Sequence, residues 1–163
     1  MKSGRYRQVI SKAPKKRPRY ETPADRKREN AFREKMGRLW GCQIIKLPYK
    51  DWVDCIALKK GEVTFILEIK CRTNSMKEYS TYMLSAGKIA HGLMYANLAR
   101  VHFILAVQFT DAEMFCDITS LDASMEKIIK YGVGGRTDRG DPQDIEMVGY
   151  IPMDRFSPVR SRL

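Results

Sequence analysis

The sequence is poor in the residues on which several common site chemistries depend. It has two histidines, His91 and His102, and neither stands near a nucleophile or a second ligand candidate. A histidine-metal finger therefore has little to build on. Its four cysteines, Cys42, Cys55, Cys71 and Cys116, include no CxxC pair. Each lies in or beside an apolar, strand-like run, which reads as reduced, mostly buried thiols rather than a zinc cluster or disulfides. No apolar run approaches the ~18 residues of a membrane span. The basic N-terminus lacks the apolar segment of a signal peptide. A soluble, cytoplasmic chain with no membrane partner is expected. The first twenty residues contain no acid at all.

What is present is positive charge, unevenly placed. The chain has 163 residues, a net charge of +11 and 44% hydrophobic residues, enough for one packed domain. Lys2, Arg5, Arg7, Lys12, Lys15, Lys16, Arg17 and Arg19 supply eight of the eleven charges, leaving +3 for everything after residue 20. Residues 1–20 also hold Pro14 and Pro18 and show little apolar periodicity. They read as an extended, flexible basic arm suited to a polyanion, with residues 21–163 as the single domain. A second basic feature is the glycine-rich stretch from Gly132 to Gln143, which carries Arg136 and Arg139. It lacks the Lys-Ser/Thr ending of a phosphate-binding loop and reads as a mobile segment whose arginines can meet a phosphate backbone.

Periodicity orders the domain. Thr22-Pro23-Ala24-Asp25 has the form of a helix start, with Thr22 as cap and Pro23 in the first turn. The helix should run to about Leu39 and end at Gly41, with Phe32, Met36, Leu39 and Trp40 on one stripe. Strands follow at Cys42–Leu47, Trp52–Leu58 and Glu62–Cys71, the last two joined by a turn at Lys59-Lys60-Gly61. A helix from near Ser80 or Leu84 to Ala99 carries Ile89, Ala90, Leu93 and Leu98. Strands at Val101–Phe109 and Glu113–Ile118 come next, then a short helix near Leu121–Tyr131 and a last strand around Ile145–Ile151. Strands on both sides of a helix favour an α/β fold with a mixed central sheet flanked by helices.

One segment carries chemistry: Asp51-Trp52-Val53-Asp54 followed by Leu67-Glu68-Ile69-Lys70. The hairpin sets the Asp54 strand beside the Glu68 strand. Alternation points Glu68 and Lys70 one way, while Val63, Phe65, Leu67 and Ile69 face the core. Two carboxylates and an ammonium thus converge at one edge. Hard carboxylate oxygens suit Mg²⁺, with Mn²⁺ able to substitute. Such an ion activates water and screens a phosphate, and the lysine can orient that water or stabilise developing charge. Adjacent carboxylates hold a lysine protonated, which disfavours a role as base.

These residues resemble the PD-(D/E)XK nuclease superfamily. Glu68-Ile69-Lys70 is similar to its E-x-K element, and Asp54 to its acidic partner, although Val53 stands where the superfamily name has proline. The resemblance spans about residues 22–118 and implies a restriction-endonuclease-like core. It implies a metal held by Asp54, Glu68 and the Ile69 backbone carbonyl. A first-helix glutamate often joins them. Glu29 and Glu34 compete, and Glu29 is chosen because it shares the stripe of Phe32 and Met36. The second helix often faces the site, so Ser85 or, preferably, Lys88 is expected at the scissile phosphate, with Arg72 as a further phosphate contact. Small resolvases and phage recombination nucleases of this kind are often dimers. The expectation is thus a Mg²⁺-dependent endonuclease acting on branched DNA as a homodimer. A non-catalytic nucleic-acid-binding module and an RNA-cleaving enzyme with the same site remain as alternatives.

Overall fold

The computed structural model describes residues 21–48, 51–123, 127–135 and 145–160. Helix α1 spans Pro23–Trp40. Its start is a capping box: the Asp25 amide donates to Thr22 Oγ1 and the Thr22 amide donates to Asp25 Oδ2. Gly41, with φ of 62°, closes the other end in the left-handed conformation. Strands β1 (Gln43–Lys46), β2 (Cys55–Lys59) and β3 (Glu62–Cys71) follow. Lys60 and Gly61 both take positive φ, as the central pair of a two-residue hairpin turn does.

The chain then forms β4 (Thr81–Ser85), α2 (Ala86–Ala99), β5 (His102–Gln108), β6 (Glu113–Asp117), α3 (Ile118–Asp122), β7 (Lys130–Gly135), β8 (Ile145–Pro152) and β9 (Ser157–Pro158). One sheet runs β1-β2-β3-β5-β6-β9, and a smaller one runs β4-β8-β7. Among the described strands only β3 and β5 pair in parallel, with α2 in the crossover between them, so the large sheet is mixed and flanked by helices as expected.

Both faces of the central strands are covered. On one, Phe32, Met36 and Trp40 of α1 pack against Cys55, Ala57, Leu67, Ile69, Ile104 and Ala106. On the other, Ile66, Phe103, Leu105 and Val107 meet Ile89 and Ala96 of α2 together with Leu84 and Ile151. Glu68 shares the second face with Ile66, so its carboxylate is directed into a buried layer and not towards an open one.

Several expectations are corrected here. Residues Thr81–Ser85 form a strand, and the helix begins only at Ala86, because Tyr82 and Leu84 alternate into the core while pairing with β8. The short helix is Ile118–Asp122, capped by Asp117, not Leu121–Tyr131. Tyr131 and Val133 instead alternate with Gly132 and Gly134 in β7, the two-residue period of a strand. Trp52–Asp54 lies outside β2. Val63 packs with the α2 cluster rather than with Phe65, Leu67 and Ile69, because Thr64 bulges between the pairs Ala57↔Phe65 and Leu58↔Val63. Ala90 and Leu98 are exposed, and the buried stripe of α2 is Ile89, Gly92 and Ala96.

Gly92 is where α2 comes closest to the sheet. A Cβ there would lie 2.4 Å from the Phe103 ring, which is itself fully buried. Gly92→Ala should therefore destabilise the fold by about 2 kcal/mol despite its higher helix propensity. Urea titration checks this. An unchanged or higher midpoint would mean that helix and ring separate at no cost.

Candidate active site

Strand β2 begins at Cys55, opposite Leu67, so the residue before it, Asp54, is outside the β2–β3 ladder and turns towards the far end of β3. Its Oδ2 accepts a long hydrogen bond, 3.4 Å, from the Ile69 amide. In an antiparallel pair a residue's amide and carbonyl leave the strand by the same edge, so the Ile69 carbonyl faces this gap as well. The buried residue Val53 anchors the turn on the α2 side of the sheet.

Four side chains meet at the end of β3. Lys70 Nζ lies 2.6 Å from Glu68 Oε1 and 3.3 Å from Asp54 Oδ2. Lys88 Nζ, arriving from the first turn of α2, donates to Asp54 Oδ1 at 2.9 Å and to Glu68 Oε2 at 3.1 Å. Glu68 is fully buried, whereas the two lysine side chains keep 31% and 27% exposure. The four formal charges cancel, the condition under which so deep a carboxylate is tolerable.

Their acid strengths are pushed apart. Burial alone would raise Asp54, but Lys70 and Lys88 outweigh it and lower the carboxyl to about 2. Burial pushes Glu68 up, with Asp54 adding to the effect and the lysines opposing it. Burial would lower Lys70, yet Glu68 and Asp54 more than offset it and keep the ammonium protonated.

A stability prediction follows for the metal-free protein. The folded-state value of Asp54 lies below its ordinary 3.8, so its contribution is complete above about pH 4 and is lost as pH falls towards 2. The loss should amount to about 2 kcal/mol. Glu68, shifted upward, opposes this by favouring the folded state on protonation. Denaturant midpoints taken between pH 5 and pH 2 (about three units,) should fall less steeply in Asp54→Asn; an identical slope would remove Asp54 as the source.

The donor set fits a hard divalent cation. Two carboxylates converge, and Glu68 Oε1 has no aligned hydrogen bond despite its nearby ammonium. Lys88 bridges both carboxylates, a position that a shared cation could take once that ammonium withdraws. Glu29 does not join them. Its carboxylate is closed onto Lys46 of the neighbouring strand. Among the described residues no three His, Cys, Asp or Glu side chains gather in a metal-binding group. Glu29 does line one cleft with Ile69, Lys70, Arg72 and Tyr82. Arg72 Nε donates to the Tyr82 hydroxyl at 2.9 Å, which fixes the guanidinium at that cleft. Ser85 points elsewhere and donates to Glu146. Lys15, Lys16, Arg17, Arg19, Arg136 and Arg139 lie outside the described residues. All four cysteines are free thiols, Cys55 and Cys116 buried and the other two partly so.

Sequence reasoning passed over two residues. Tyr82 was hidden in a segment read as helix. Trp52, an exposed aromatic two positions before Asp54, was visible in the motif itself but gave no periodicity to follow.

The family described as "Phage putative PDDEXK endonuclease" matches residues 15–159. The chain belongs to this family. The match takes in the hairpin, helices α1, α2 and α3 and the site at the end of β3, so the PDDEXK endonuclease assignment covers nearly the whole chain. No curated protein matches the sequence. Among solved structures, the fold is similar to that of Archaeoglobus fulgidus Hjc, a Holliday junction resolvase from an archaeal hyperthermophile. That similarity has a TM-score of 0.51 and 15% identity, over 79% of this chain and 84% of the other. At that identity the likeness is one of fold, and the fold is restriction-endonuclease-like. No helix among the described residues is long and apolar enough to cross a membrane.

Proposed function

We propose that this PDDEXK endonuclease is a Mg²⁺-dependent enzyme that hydrolyses DNA phosphodiester bonds, with Asp54, Glu68 and Lys70 as its catalytic residues. The observation that carries the reading is their meeting at the free end of β3, where Asp54 has left the ladder and Glu68 is buried. Asp54, Glu68 and the Ile69 carbonyl would hold the ion, and Glu29 could reach it only after releasing Lys46. The bound ion would supply an activated water and screen the phosphate's charge. Glu68 and Asp54 would provide the oxygen ligands, and the lysines beside Asp54 leave it ionised throughout the neutral range. Lys70, held as an ammonium, orients the attacking water and stabilises charge developing on the phosphate. Lys88, once freed from its bridge between Asp54 and Glu68, would meet the scissile phosphate.

The substrate in this reading is branched or junction DNA, processed in recombination or repair within the cytoplasm of a phage-infected cell. Its support is the shared fold with a Holliday junction resolvase. Two cuts on one branched substrate need two sites, which favours a homodimer. Arg72, Lys88 and the basic residues Lys15, Lys16, Arg17, Arg19, Arg136 and Arg139 are the proposed phosphate contacts.

The test is cleavage of branched, duplex and single-stranded DNA and of RNA, each with Mg²⁺, Mn²⁺ or EDTA. Cutting of branched DNA with either metal and none in EDTA is expected. Tight binding without cutting under any metal would favour a binding module, and cutting of RNA alone would reassign the substrate.

A further inference from the structure

Beside the carboxylates stands a second feature that phosphate hydrolysis does not use. Trp52 is 55% exposed, although an indole is among the most apolar surfaces a chain can present. It is not loose. Its ring lies parallel to the His91 imidazole, with centroids 3.9 Å apart and planes 2° from coplanar. The imidazole is fixed in turn. The Gly87 carbonyl, 2.8 Å from Nδ1, can only accept, so Nδ1 carries the proton and donates along helix α2. Val53, the next residue, is buried and pins the backbone between Trp52 and Asp54. One face of the indole is thus backed by a held ring while the other is open.

The position of this plate is specific. Lys88, which bridges Asp54 and Glu68, lies one turn before His91 on the same helix. Asp54 lies two residues after Trp52 on the other side of the stack. The stack is thus tied to the site at both of its members, Trp52 through the short link to Asp54 and His91 through the turn of α2 that carries Lys88. A flat, pre-positioned aromatic surface next to a phosphate-handling site suits a nucleobase, since every base offers a π-face. A base inside an intact duplex is stacked on both sides and cannot offer one. A base at a branch, bulge or single-stranded end can.

We propose that Trp52, backed by His91, is a stacking site for an unpaired nucleobase beside the scissile phosphate, and that it gives the enzyme its preference for unpaired DNA. The inference rests on the nuclease reading above and adds what that reading lacks, a residue that distinguishes branched from continuous duplex DNA. His91 acts here as a positioning residue, setting the plane of the indole.

Binding is measured with the full chain in EDTA, which stops cutting, on a fully paired duplex and on the same duplex carrying one unpaired 2-aminopurine. Wild type should bind the unpaired DNA about ten-fold more tightly, the scale of one base–aromatic stack. The 2-aminopurine emission should be quenched on binding. So should the protein's, because its only other tryptophan, Trp40, is 8% exposed and sits in the core. Trp52→Ala should bring the ratio of the two affinities close to one and abolish the 2-aminopurine quenching, while Trp52→Phe should keep part of both. An unchanged ratio in Trp52→Ala overturns the proposal, as does equal weakening on both DNAs. A change of oligomeric state without a change in ratio would assign the plate to a contact between copies, together with the exposed Met94, Tyr95 and Leu98 of α2. These results leave the nuclease reading standing. Failure of wild type to bind either DNA would sink both.

Discussion

Glu68→Gln should lower cleavage by about 10³-fold or more, while leaving the folded protein as stable as wild type or more so. The two halves have the same origin. Glu68 is fully buried, and burial pushes its carboxyl upward against the pull of Lys70 and Lys88. An ionised group at that position is held at a cost to the fold, and a neutral amide of the same shape removes the cost. It also removes one of the two carboxylates available to a divalent ion. Cleavage rates in saturating Mg²⁺, set beside thermal midpoints in EDTA, separate the effects. Retained cleavage would exclude Glu68 from the site. Lost cleavage with a steep drop in midpoint would mean that the ion pairs outweigh the burial of the charge.

Lys70→Ala should reduce cleavage by about 10²- to 10³-fold and, unlike Glu68→Gln, should destabilise the protein. Lys70 Nζ is the nearest cation to Glu68 Oε1, at 2.6 Å, and it also reaches Asp54. Its removal leaves Lys88 alone against two carboxylates, one of them buried. Part of the cost is relieved because Glu68 can take up a proton, so the loss should be about 2 kcal/mol rather than the full penalty of an unpaired buried charge. The nature of the replacement also tests the lysine's role. Arginine cannot give up its proton in a protein. If Lys70 works through its charge, Lys70→Arg should recover measurable cleavage over Lys70→Ala; if it works as a base, arginine should be as inactive as alanine. Single-turnover rates at saturating metal make the comparison.

The outline of the fold was legible wherever local chemistry and core packing agreed. The Thr22 cap, Pro23, the stripe of Phe32 and Met36, and Gly41 all specify the same helix. The hairpin at Lys60-Gly61 and the alternation of Phe65, Leu67 and Ile69 specify β3 and its partner. Reading failed where a segment's structure depends on a distant partner. Thr81–Ser85 has no local signal of its own beyond two buried residues, and becomes a strand by pairing with Val148–Pro152, roughly 63 to 71 positions away. Val63 changes face because of a bulge at Thr64, and no two-residue period can reveal a bulge.

The same division runs through the site. By itself the sequence determined that Asp54, Glu68 and Lys70 come together, because a hairpin of fixed length and strand alternation are local geometry. It also marked the chain as suited to a polyanion, since charge is composition. Only the tertiary structure decided the environment of those groups. It buried Glu68 by laying α2 across a face that the alternation had left open, brought Lys88 between the two carboxylates, and turned Glu29 to Lys46 instead. It also stacked Trp52 on His91, about thirty-nine positions further along the sequence. Burial, ion pairing and stacking are properties of neighbours brought together by packing, and they set the acid strengths and surfaces on which the chemistry depends.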